Sequence, residues 1–198
     1  MVKSLTPQEA TSEALDTLDY HVKYGPWHYA TNVQRFIVPI EPKFHKILFP
    51  EADQQGQLRE LGTLLPAGNS IQKAYLSRGG NRQIKPGDIL CFYRSHDRRR
   101  LTVVGIAEST LVSKSHEAIS DYVGKRSVYS PDQIRDMTED GNREVLAILF
   151  RQSRILRSGP TDAQLREAQV WQAPTQSIMK VPPEGNVWLE ANIDKKDL

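Results

Sequence analysis

The chain has 198 residues, of which 38% are hydrophobic and 25% charged, and this composition excludes an intrinsically disordered protein. Its formal net charge of +2 is no signature of nucleic-acid binding, so such a surface would have to come from local clusters of basic residues. The apolar runs are too short to span a bilayer and the first residues lack a signal-peptide core, so we expect no membrane contact and a cytoplasmic location.

The first predicted element is a helix that ends at Gly25. Its start carries a capping pattern, with a capping threonine, a proline in the first turn and a glutamate that completes the capping box: Thr6, Pro7 and Glu9. We therefore interpret residues 1–26 as a helical extension and residues 27–198 as the main domain, which is long enough for a core of its own.

A strand is predicted next, over the apolar run from Val33 to Ile40. Pro39 interrupts this run, and because proline cannot donate a hydrogen bond to a neighbouring strand, we place the strand at a sheet edge or at a bend. The polar, turn-rich residues 50–68 form an excursion from the domain, with a short helix predicted over Leu58 to Leu65.

A helix is then predicted from an N-cap at Asn69 to about Ser77, because Ile71, Ala74 and Tyr75 share one helical face. It precedes the clearest pattern in the chain, a turn followed by two apolar strands around a polar loop. The turn and the hairpin are predicted at Lys85 to Asp88, Ile89 to Arg94, Ser95 to Arg100 and Leu101 to Glu108. The apolar character of both strands predicts that both of their faces are covered, as in a curved barrel wall with helices packed on it.

Cys91, the single cysteine, lies in the first of these strands. A lone cysteine excludes an intrachain disulfide and a cysteine-based zinc cluster, and we expect an inert buried thiol. The five histidines are scattered without metal-ligand spacing, so no metal and no cofactor is predicted.

The rest of the chain mixes predicted helices and strands. Helices are predicted at His116 to Tyr122, Pro131 to Met137, Asp162 to Gln169 and Gln176 to Lys180. Strands are predicted at Val145 to Phe150, Arg154 to Leu156 and Asn186 to Ile193. This order favours an α+β fold with a small mixed β-barrel over alternating βαβ units.

The motifs of the central hairpin resemble those of EVE-type domains, which are PUA-like proteins related to the YTH domains. The matching stretches are Asn69 to Leu76, Gly87-Asp88, Phe92-Tyr93-x-Ser95 and Gly105-Ile106-Ala107-Glu108. The resemblance implies a PUA-like barrel with surrounding helices, and a pocket between the barrel wall and the helix at residues 69–77. In that family the pocket receives a flipped, often modified base of DNA or RNA.

A base pocket needs an aromatic face, polar groups that contact the base edge, and cations for the flanking phosphates. The candidate base-pocket residues are Trp27, Tyr29, Asn69, Ser70, Lys73, Tyr93 and Ser95. The candidate phosphate-binding residues are Arg94, Arg98, Arg99, Arg100, Lys125 and Arg126.

Several of these residues also have a purely structural interpretation. Trp27 and Tyr93 suit a protein core, and Asn69 suits a helix cap. The run from Arg98 to Arg100 suits a solvated hairpin tip, and the Lys125-Arg126 pair suits a helix C-terminus. The sequence leaves these alternatives open.

Three functions are compatible with the sequence, and the first is a nucleic-acid-binding module that is not an enzyme. The second is a small amidohydrolase related to ASCH proteins, with Lys73 and Glu108 as its candidate pair, although the spacing Gly-x-Lys-x-x-Glu-x-Arg is absent. The third is a regulatory module for an effector such as a nuclease or an acetyltransferase. It rests on stretches that resemble a PUA-like module fused to GNAT acetyltransferases: Pro39-Ile40-x-Pro42, Leu48 to Glu51, Gly68 to Leu76 and Lys125 to Ser130.

Overall fold

The computed structural model describes residues 15–25, 29–30, 32–53, 70–79 and 81–194. These residues form six α-helices and six strands. The helices are α1 (Thr17–Tyr24), α2 (Pro42–Leu48), α3 (His116–Val123), α4 (Pro131–Met137), α5 (Asp162–Glu167) and α6 (Pro183–Leu189). The strands are β1 (Arg35–Ile40), β2 (Gln72–Ser77), β3 (Ile89–Arg94), β4 (Arg100–Ser113), β5 (Val145–Ile155) and β6 (Met179–Lys180).

The strands form one mixed sheet in the order β2-β5-β4-β3-β1-β6. The β1–β3 pair is parallel and the other pairs are antiparallel. No ladder among the described residues joins β2 back to β1 or β6, so the predicted α+β mixed sheet is confirmed while closure of a barrel is not observed. In the part of the chain that the structure describes, one mixed sheet is thus surrounded by helices.

The inner face of the sheet is filled by aromatic rings. Phe49, Phe92 and Phe150 pack against one another, with ring centroids 4.8, 6.1 and 4.9 Å apart, and Tyr75 lies 6.0 Å from Phe92. Side chains from β1 to β5 join this cluster, so the sheet bends around it. Such ring pairs stabilise a core beyond the area that they bury.

Helices cover the outer face of the sheet in two places. Helices α3 and α4 pack their buried side chains, Ile119, Val123, Ile134 and Met137, on the outer side of β2 and β5. Helices α5 and α6 cover β1, β3 and β4 through Leu165 and Leu189. The prediction that both faces of the hairpin strands are covered is confirmed, since all of β3 is buried.

The Gly87-Asp88 turn joins α1 to the sheet. Gly87 has a φ of +89°, and a Cβ at this position would lie 2.5 Å from the Thr17 side chain, so only glycine fits. The Asp88 carboxylate accepts hydrogen bonds from the backbone N–H groups of Gln34 and Lys85, at 3.1 and 2.8 Å. This motif therefore has a structural role, in which a local turn also contacts residues that are distant in sequence, Thr17 and Gln34.

Two predicted helices are wrong, because residues 72–77 and 179–180 form the strands β2 and β6. In β2, Ala74 and Tyr75 were assigned to one helical face, but alternation along the strand sends them to opposite faces, and both faces are apolar. An apolar strand of this kind imitates a helical period over so few residues.

Of the strands predicted in the C-terminal part of the chain, two are confirmed but joined into one, and the third is wrong. The segments Val145 to Phe150 and Arg154 to Leu156 lie on one continuous strand, β5, which ends at Ile155. The segment from Asn186 to Ile193 belongs to α6 and to a π-helical turn, Glu190–Asp194. The buried residues of α6 and this turn, Gly185, Leu189 and Ile193, are spaced four apart, which is a helical period.

Helix α2 (Pro42–Leu48) was not predicted, and β4 continues past Glu108 to Ser113, whereas the remaining elements agree with the sequence to within a few residues. Ser130 and Thr161 cap α4 and α5 with the expected capping boxes. Pro39 lies at a free edge of β1, since β6 pairs only with Phe36 and Ile37. The predicted N-terminal helix is not continuous from Thr6, because Asp16 has an extended backbone and caps α1 by accepting from the Asp19 N–H at 2.9 Å. Residues 1–14 and the helix predicted at 58–65 lie outside the described residues. The domain boundary at residue 26 stays a prediction.

Candidate functional site

A cleft of about 700 Å³ opens where β1 and β2 approach each other without pairing. We call it the seam cleft. Its walls are formed by Pro39–Glu41, Phe44, Leu48, Ala74, Tyr75, Tyr93, Ser95, His96, Arg99, Val128, Tyr129 and Pro174–Gln176. Its volume is within the range of pockets that bind small organic ligands, about 300–1,000 Å³.

The seam is held by one hydrogen bond between side chain and backbone. The Tyr75 hydroxyl on β2 donates to the Pro39 carbonyl on β1, at 2.6 Å. Burial raises the Tyr75 pKa, and the nearby hydroxyl of Tyr129 and carboxylate of Glu41 act in the same direction. Tyr75 is therefore a neutral donor that links the two strands at the floor of the cleft.

Two rings form an aromatic wall of the cleft. Phe44 on α2 and Tyr129, from the segment before α4, have centroids 4.7 Å apart and planes inclined by 48°. Burial raises the pKa of Tyr129 to about 12, and the negative charge of Glu41 adds to this effect. The Tyr129 hydroxyl is thus protonated near neutral pH and lies beside a carboxylate. This wall offers both a stacking surface and hydrogen-bonding groups.

An arginine at the rim is held in place by a carboxylate. The β3–β4 hairpin tip, residues 95–99, has positive φ angles at His96 (63°) and Arg99 (47°), which bulky residues rarely adopt. The Arg99 guanidinium is 2.6 Å from Asp162, and Asp162 also receives two 3.0 Å bonds from Arg166. One carboxylate shared by two guanidinium groups leaves a net positive charge at the rim.

A buried polar network anchors the hairpin tip. Arg94, only 3% exposed, donates to Asp97 at 2.5 and 2.9 Å and also pairs with Asp53. His45 is fully buried between Arg94 and Thr102, with distances of 3.2 Å at Nδ1 and 2.8 Å at Nε2. The network fixes the tip against α2 and the 3-10 turn Pro50–Asp53.

β-Bulges place particular polar side chains, including one member of this network. Thr102 is the extra residue at the β3–β4 irregularity, since Phe92 pairs with Val103 and Tyr93 with Leu101. Glu108 and Ser153 are the extra residues at the two irregularities between β4 and β5. Bulges often reorient side chains near functional sites.

The structure brings together only part of the predicted base pocket. Ser95 lines the seam cleft, and its hydroxyl donates to the Ile40 carbonyl at 3.2 Å. Tyr93 also reaches the cleft, but it is 1% exposed and packs edge-on against Trp171 at 4.6 Å. Its ring faces are therefore unavailable for stacking, and the packing interpretation of Tyr93 is the one that the structure supports.

The other predicted pocket residues do not line the cleft. The Tyr29 hydroxyl is 2.9 Å from Ser153 on a different face of the sheet, and Ser70 only precedes β2. Lys73 is 2% exposed, its ammonium lies 5.8 Å from the Phe49 ring centroid, and burial lowers its pKa. Trp27 and Asn69 lie outside the described residues.

The prediction that Arg94 binds a phosphate is wrong, because its buried ion pairs with two carboxylates leave it inaccessible to a phosphate. Arg98 turns back to Asp53 at 2.9 Å, and Arg100 pairs through its backbone with Arg94 and Thr161. Arg99 is the member of the arginine run that lines the cleft.

Lys125 and Arg126 lie in a 3-10 turn that contacts β2 and leads to two cleft residues, Val128 and Tyr129. Their place beside the cleft agrees with the predicted role, which itself stays a prediction.

The enzyme alternative depended on Lys73 and Glu108, and the two side chains lie on opposite faces of the sheet. Lys73 points to the inner aromatic cluster, whereas its neighbour Gln72 points outward and donates to Glu108 at 2.5 Å. Adjacent strand residues face opposite ways, so this pair does not form one site.

Sequence reasoning missed the main walls of the cleft, namely Glu41, Phe44, Tyr75 and Tyr129. The available signal was the resemblance to the GNAT-fused module, because its matching stretches contain both Tyr75 and Tyr129. Because residues 69–77 were assigned to a helix, the position of Tyr75 at the seam was not predicted, since only a strand places this ring there.

Within the part of the chain that the structure describes, no helix is long and apolar enough to cross a membrane. The same part contains no group of His, Cys, Asp or Glu side chains that could hold a metal ion.

No protein-family model and no curated protein sequence matches the chain. Solved structures do. A serine-to-alanine variant of the ASCH protein from Zymomonas mobilis is 16% identical with a TM-score of 0.59, and it covers 79% of this chain and 94% of that chain. The unmutated ASCH protein from the same organism is 16% identical with a TM-score of 0.55, and the match covers 79% of this chain and 94% of that chain. The N-terminal domain of McrB from Thermococcus gammatolerans, solved bound to m5C DNA, is 12% identical with a TM-score of 0.46. The match covers 83% of this chain and 99% of that domain.

The two ASCH likenesses show the fold alone, and this fold is of the PUA-like type that the central hairpin motifs implied. Within that class, the fold corresponds to that of the ASCH domain. The resemblance to a module fused to GNAT acetyltransferases, and with it an effector partner, stays a prediction.

Proposed function

We propose that the chain is a nucleic-acid-binding module that receives a single, unpaired or flipped base in the seam cleft. The observation that carries the proposal is the aromatic wall of Phe44 and Tyr129 with Arg99 at the same cleft. A base has two apolar faces, a polar edge and an adjacent phosphate, and the cleft offers a group for each of these.

The base edge would meet the Tyr129 hydroxyl and the Glu41 carboxylate. A neutral hydroxyl donates or accepts, and a carboxylate accepts from the N–H groups of a base. A base modification would occupy the space toward Pro174–Gln176, which forms part of the cleft wall. The proposal covers DNA and RNA.

The phosphates would be bound on both sides of the cleft. Arg99 lies on the hairpin tip, and Lys125 and Arg126 lie near Tyr129. The Asp162 carboxylate preorganises Arg99, so little side-chain entropy is lost when Arg99 contacts a phosphate.

The first prediction concerns the aromatic wall. Tyr129→Leu is expected to weaken binding of a short labelled single-stranded oligonucleotide by about 1–3 kcal/mol, since it removes a stacking face. Fluorescence anisotropy measures the change. Tyr122→Leu is the matched control, because Tyr122 packs on the same helix-covered cluster but does not line the cleft. Equal affinities of the two variants would contradict the proposal, and Tyr129→Phe separates the ring from the hydroxyl.

The second prediction concerns the rim. Arg99→Gln is expected to lower the slope of log K against log salt concentration by about 0.7, the value for one phosphate contact on a single strand. Arg143→Gln is the control, because Arg143 forms an exposed ion pair with Glu139 and does not line the cleft. An unaltered slope in Arg99→Gln would make the hairpin tip a purely structural feature.

In this proposal the chain binds the base without transforming it. The amidohydrolase alternative is tested in parallel by incubation with a panel of acylated nucleosides. Release of free acid that stops in Lys73→Met would contradict simple binding, since the buried Lys73 would then act in chemistry.

A further inference from the structure

A single carboxylate lines the seam cleft among the described residues, and it belongs to Glu41. Glu41 occupies the N-cap position of α2, where serine, threonine, aspartate or asparagine is usual, but its side chain forms no capping hydrogen bond. About half of this side chain, 52%, is exposed. Neither the helix cap nor the core therefore explains the side chain of Glu41.

The Glu41 carboxylate keeps most of its capacity to accept hydrogen bonds. Its ion pair with Lys43, in which Nζ is 2.9 Å from Oε2, is its only side-chain hydrogen bond or ion pair in the described part of the chain. Both partners are exposed, so this pair contributes little energy, and Lys43 itself does not line the cleft. A carboxylate accepts at two oxygens, so Oε1 and the remaining lone pair of Oε2 can accept two N–H groups of a ligand.

The carboxylate lies at the edge of the aromatic wall. Burial raises the pKa of Tyr75 and of Tyr129, and the negative charge of Glu41 acts in the same direction on both, so the carboxylate is within electrostatic reach of the two hydroxyls. Phe44, the other ring of the wall, lies in the first turn of α2, which Glu41 precedes. A base that stacks on this wall can therefore turn its polar edge to Glu41.

Two acceptors side by side select a base by the donors on its edge. Guanine carries two neighbouring donors there, the N1–H and the 2-amino group, and both can reach one carboxylate. Adenine and cytosine place a ring-nitrogen acceptor beside their amino group, and uracil and thymine have one N–H between two carbonyl oxygens. An acceptor that faces a carboxylate oxygen leaves both atoms without a partner, so a site of this kind disfavours these bases.

We propose that the seam cleft prefers guanine among unpaired bases and that Glu41 determines this preference, an inference that rests on the proposed function. The N1–H and 2-amino groups of guanine donate to the two oxygens of Glu41, while the ring lies against the wall of Phe44 and Tyr129. Arg99 contacts the adjacent phosphate, as it does for any base. Glu41 is thus a specificity-determining residue, whereas the aromatic wall and Arg99 bind every sequence.

The test compares three short labelled single-stranded oligonucleotides on the full chain. They differ only in one central base, which is guanine, hypoxanthine or adenine, and hypoxanthine is guanine without its 2-amino group. Fluorescence anisotropy is expected to show about tenfold tighter binding of guanine than of hypoxanthine, the lower end of the range for a hydrogen bond to an ionised group. Adenine, which offers an acceptor at N1, is expected to bind more weakly still.

Glu41→Gln changes the pattern of the site without changing its shape, because one acceptor oxygen becomes an NH₂ donor. The variant is expected to lose the preference for guanine over hypoxanthine and to favour adenine, whose edge pairs a donor with an acceptor. Glu139→Gln is the matched control, because Glu139 is 51% exposed, forms a similar ion pair with Arg143 and does not line the cleft. It is expected to retain the preference of the wild-type protein.

A carboxylate that is only solvated gives a different result. Removing its negative charge would then raise the affinity for all three oligonucleotides equally, because the phosphates are repelled less. That result, or equal affinities of the wild-type protein for guanine and hypoxanthine, would overturn the role of Glu41. If Tyr129→Leu still weakens binding in that case, the proposed function stands without the guanine preference, whereas binding of none of the oligonucleotides would overturn both.

Discussion

Replacing Arg94 by methionine is expected to lower the free energy of unfolding by about 3 kcal/mol. The Arg94 guanidinium compensates Asp53 and Asp97 and donates to His45, and its removal leaves these partners without their cation. Removing one member of a buried ion pair costs about 3–5 kcal/mol, and the partial exposure of both carboxylates places the effect at the lower end. Urea unfolding measures the loss.

The controls for Arg94 separate burial from charge. Arg143→Met breaks an exposed ion pair with Glu139 and is expected to change stability by less than about 1 kcal/mol. Adding Asp97→Asn to Arg94→Met should recover part of the loss, since it removes one uncompensated charge. A similar loss in Arg143→Met and Arg94→Met would show that the buried network contributes nothing special.

This network also explains why the prediction of a phosphate-binding role for Arg94 was wrong. The sequence shows four arginines near one hairpin, Arg94 and Arg98 to Arg100, and nothing in the spacing tells which of them are neutralised. Asp53 lies 41 residues from Arg94 in sequence, so a contact between them is invisible without the fold. Only Arg99 combines a place at the cleft with high exposure.

The fold could be predicted best where local signals were strong. The Gly87-Asp88 turn, the hairpin and the capped helices α4 and α5 each depend on contacts within a few residues. The assignments of β2 and α6 failed because their state is decided by partners that are far away in sequence: β2 pairs with β5, about 75 residues later. The intrinsic helix or strand propensity of a segment carries no information about a partner so far away in sequence.

The site was harder to predict than the fold, because its walls come from distant segments. Phe44 and Tyr129 meet only when α2 and the segment before α4 converge at the seam. The family resemblance pointed to the hairpin and to Ser95, both of which lie at the seam cleft, but it gave no means of choosing among the aromatic residues. In this chain, the choice depends on which rings remain accessible after packing, and Tyr93 does not.

His45 gives the second large prediction, a loss of stability on acidification. Its burial lowers the pKa from 6.5 to about 4, and the positive charge of Arg94 acts in the same direction. Arg94 donates to Nδ1, which assigns the remaining proton to Nε2 and makes the neutral ring a donor to Thr102. Protonation would place a second cation against Arg94 in a site without solvent.

The sign follows from proton binding. Between pH 6.5 and about 4 the unfolded chain binds a proton at His45 and the folded chain does not, so stability is present above this window and falls as the pH decreases through it. The expected loss between pH 7 and pH 5 is about 2 kcal/mol. Asp88, whose pKa burial raises, contributes with the opposite sign.

His45→Gln isolates the contribution of His45, because a glutamine amide can accept from Arg94 and donate to Thr102 but does not titrate. Urea unfolding of both proteins at several pH values between 7 and 5 gives two slopes, and the contribution of Asp88 is common to both. We expect the wild-type protein to lose stability on acidification while the variant stays nearly flat. Parallel slopes would mean that the folded state accepts a proton on the ring, and the His45–Arg94 contact would then have to open. Only on that second outcome would acidification open the contact that holds the hairpin tip and weaken oligonucleotide binding in the wild-type protein alone.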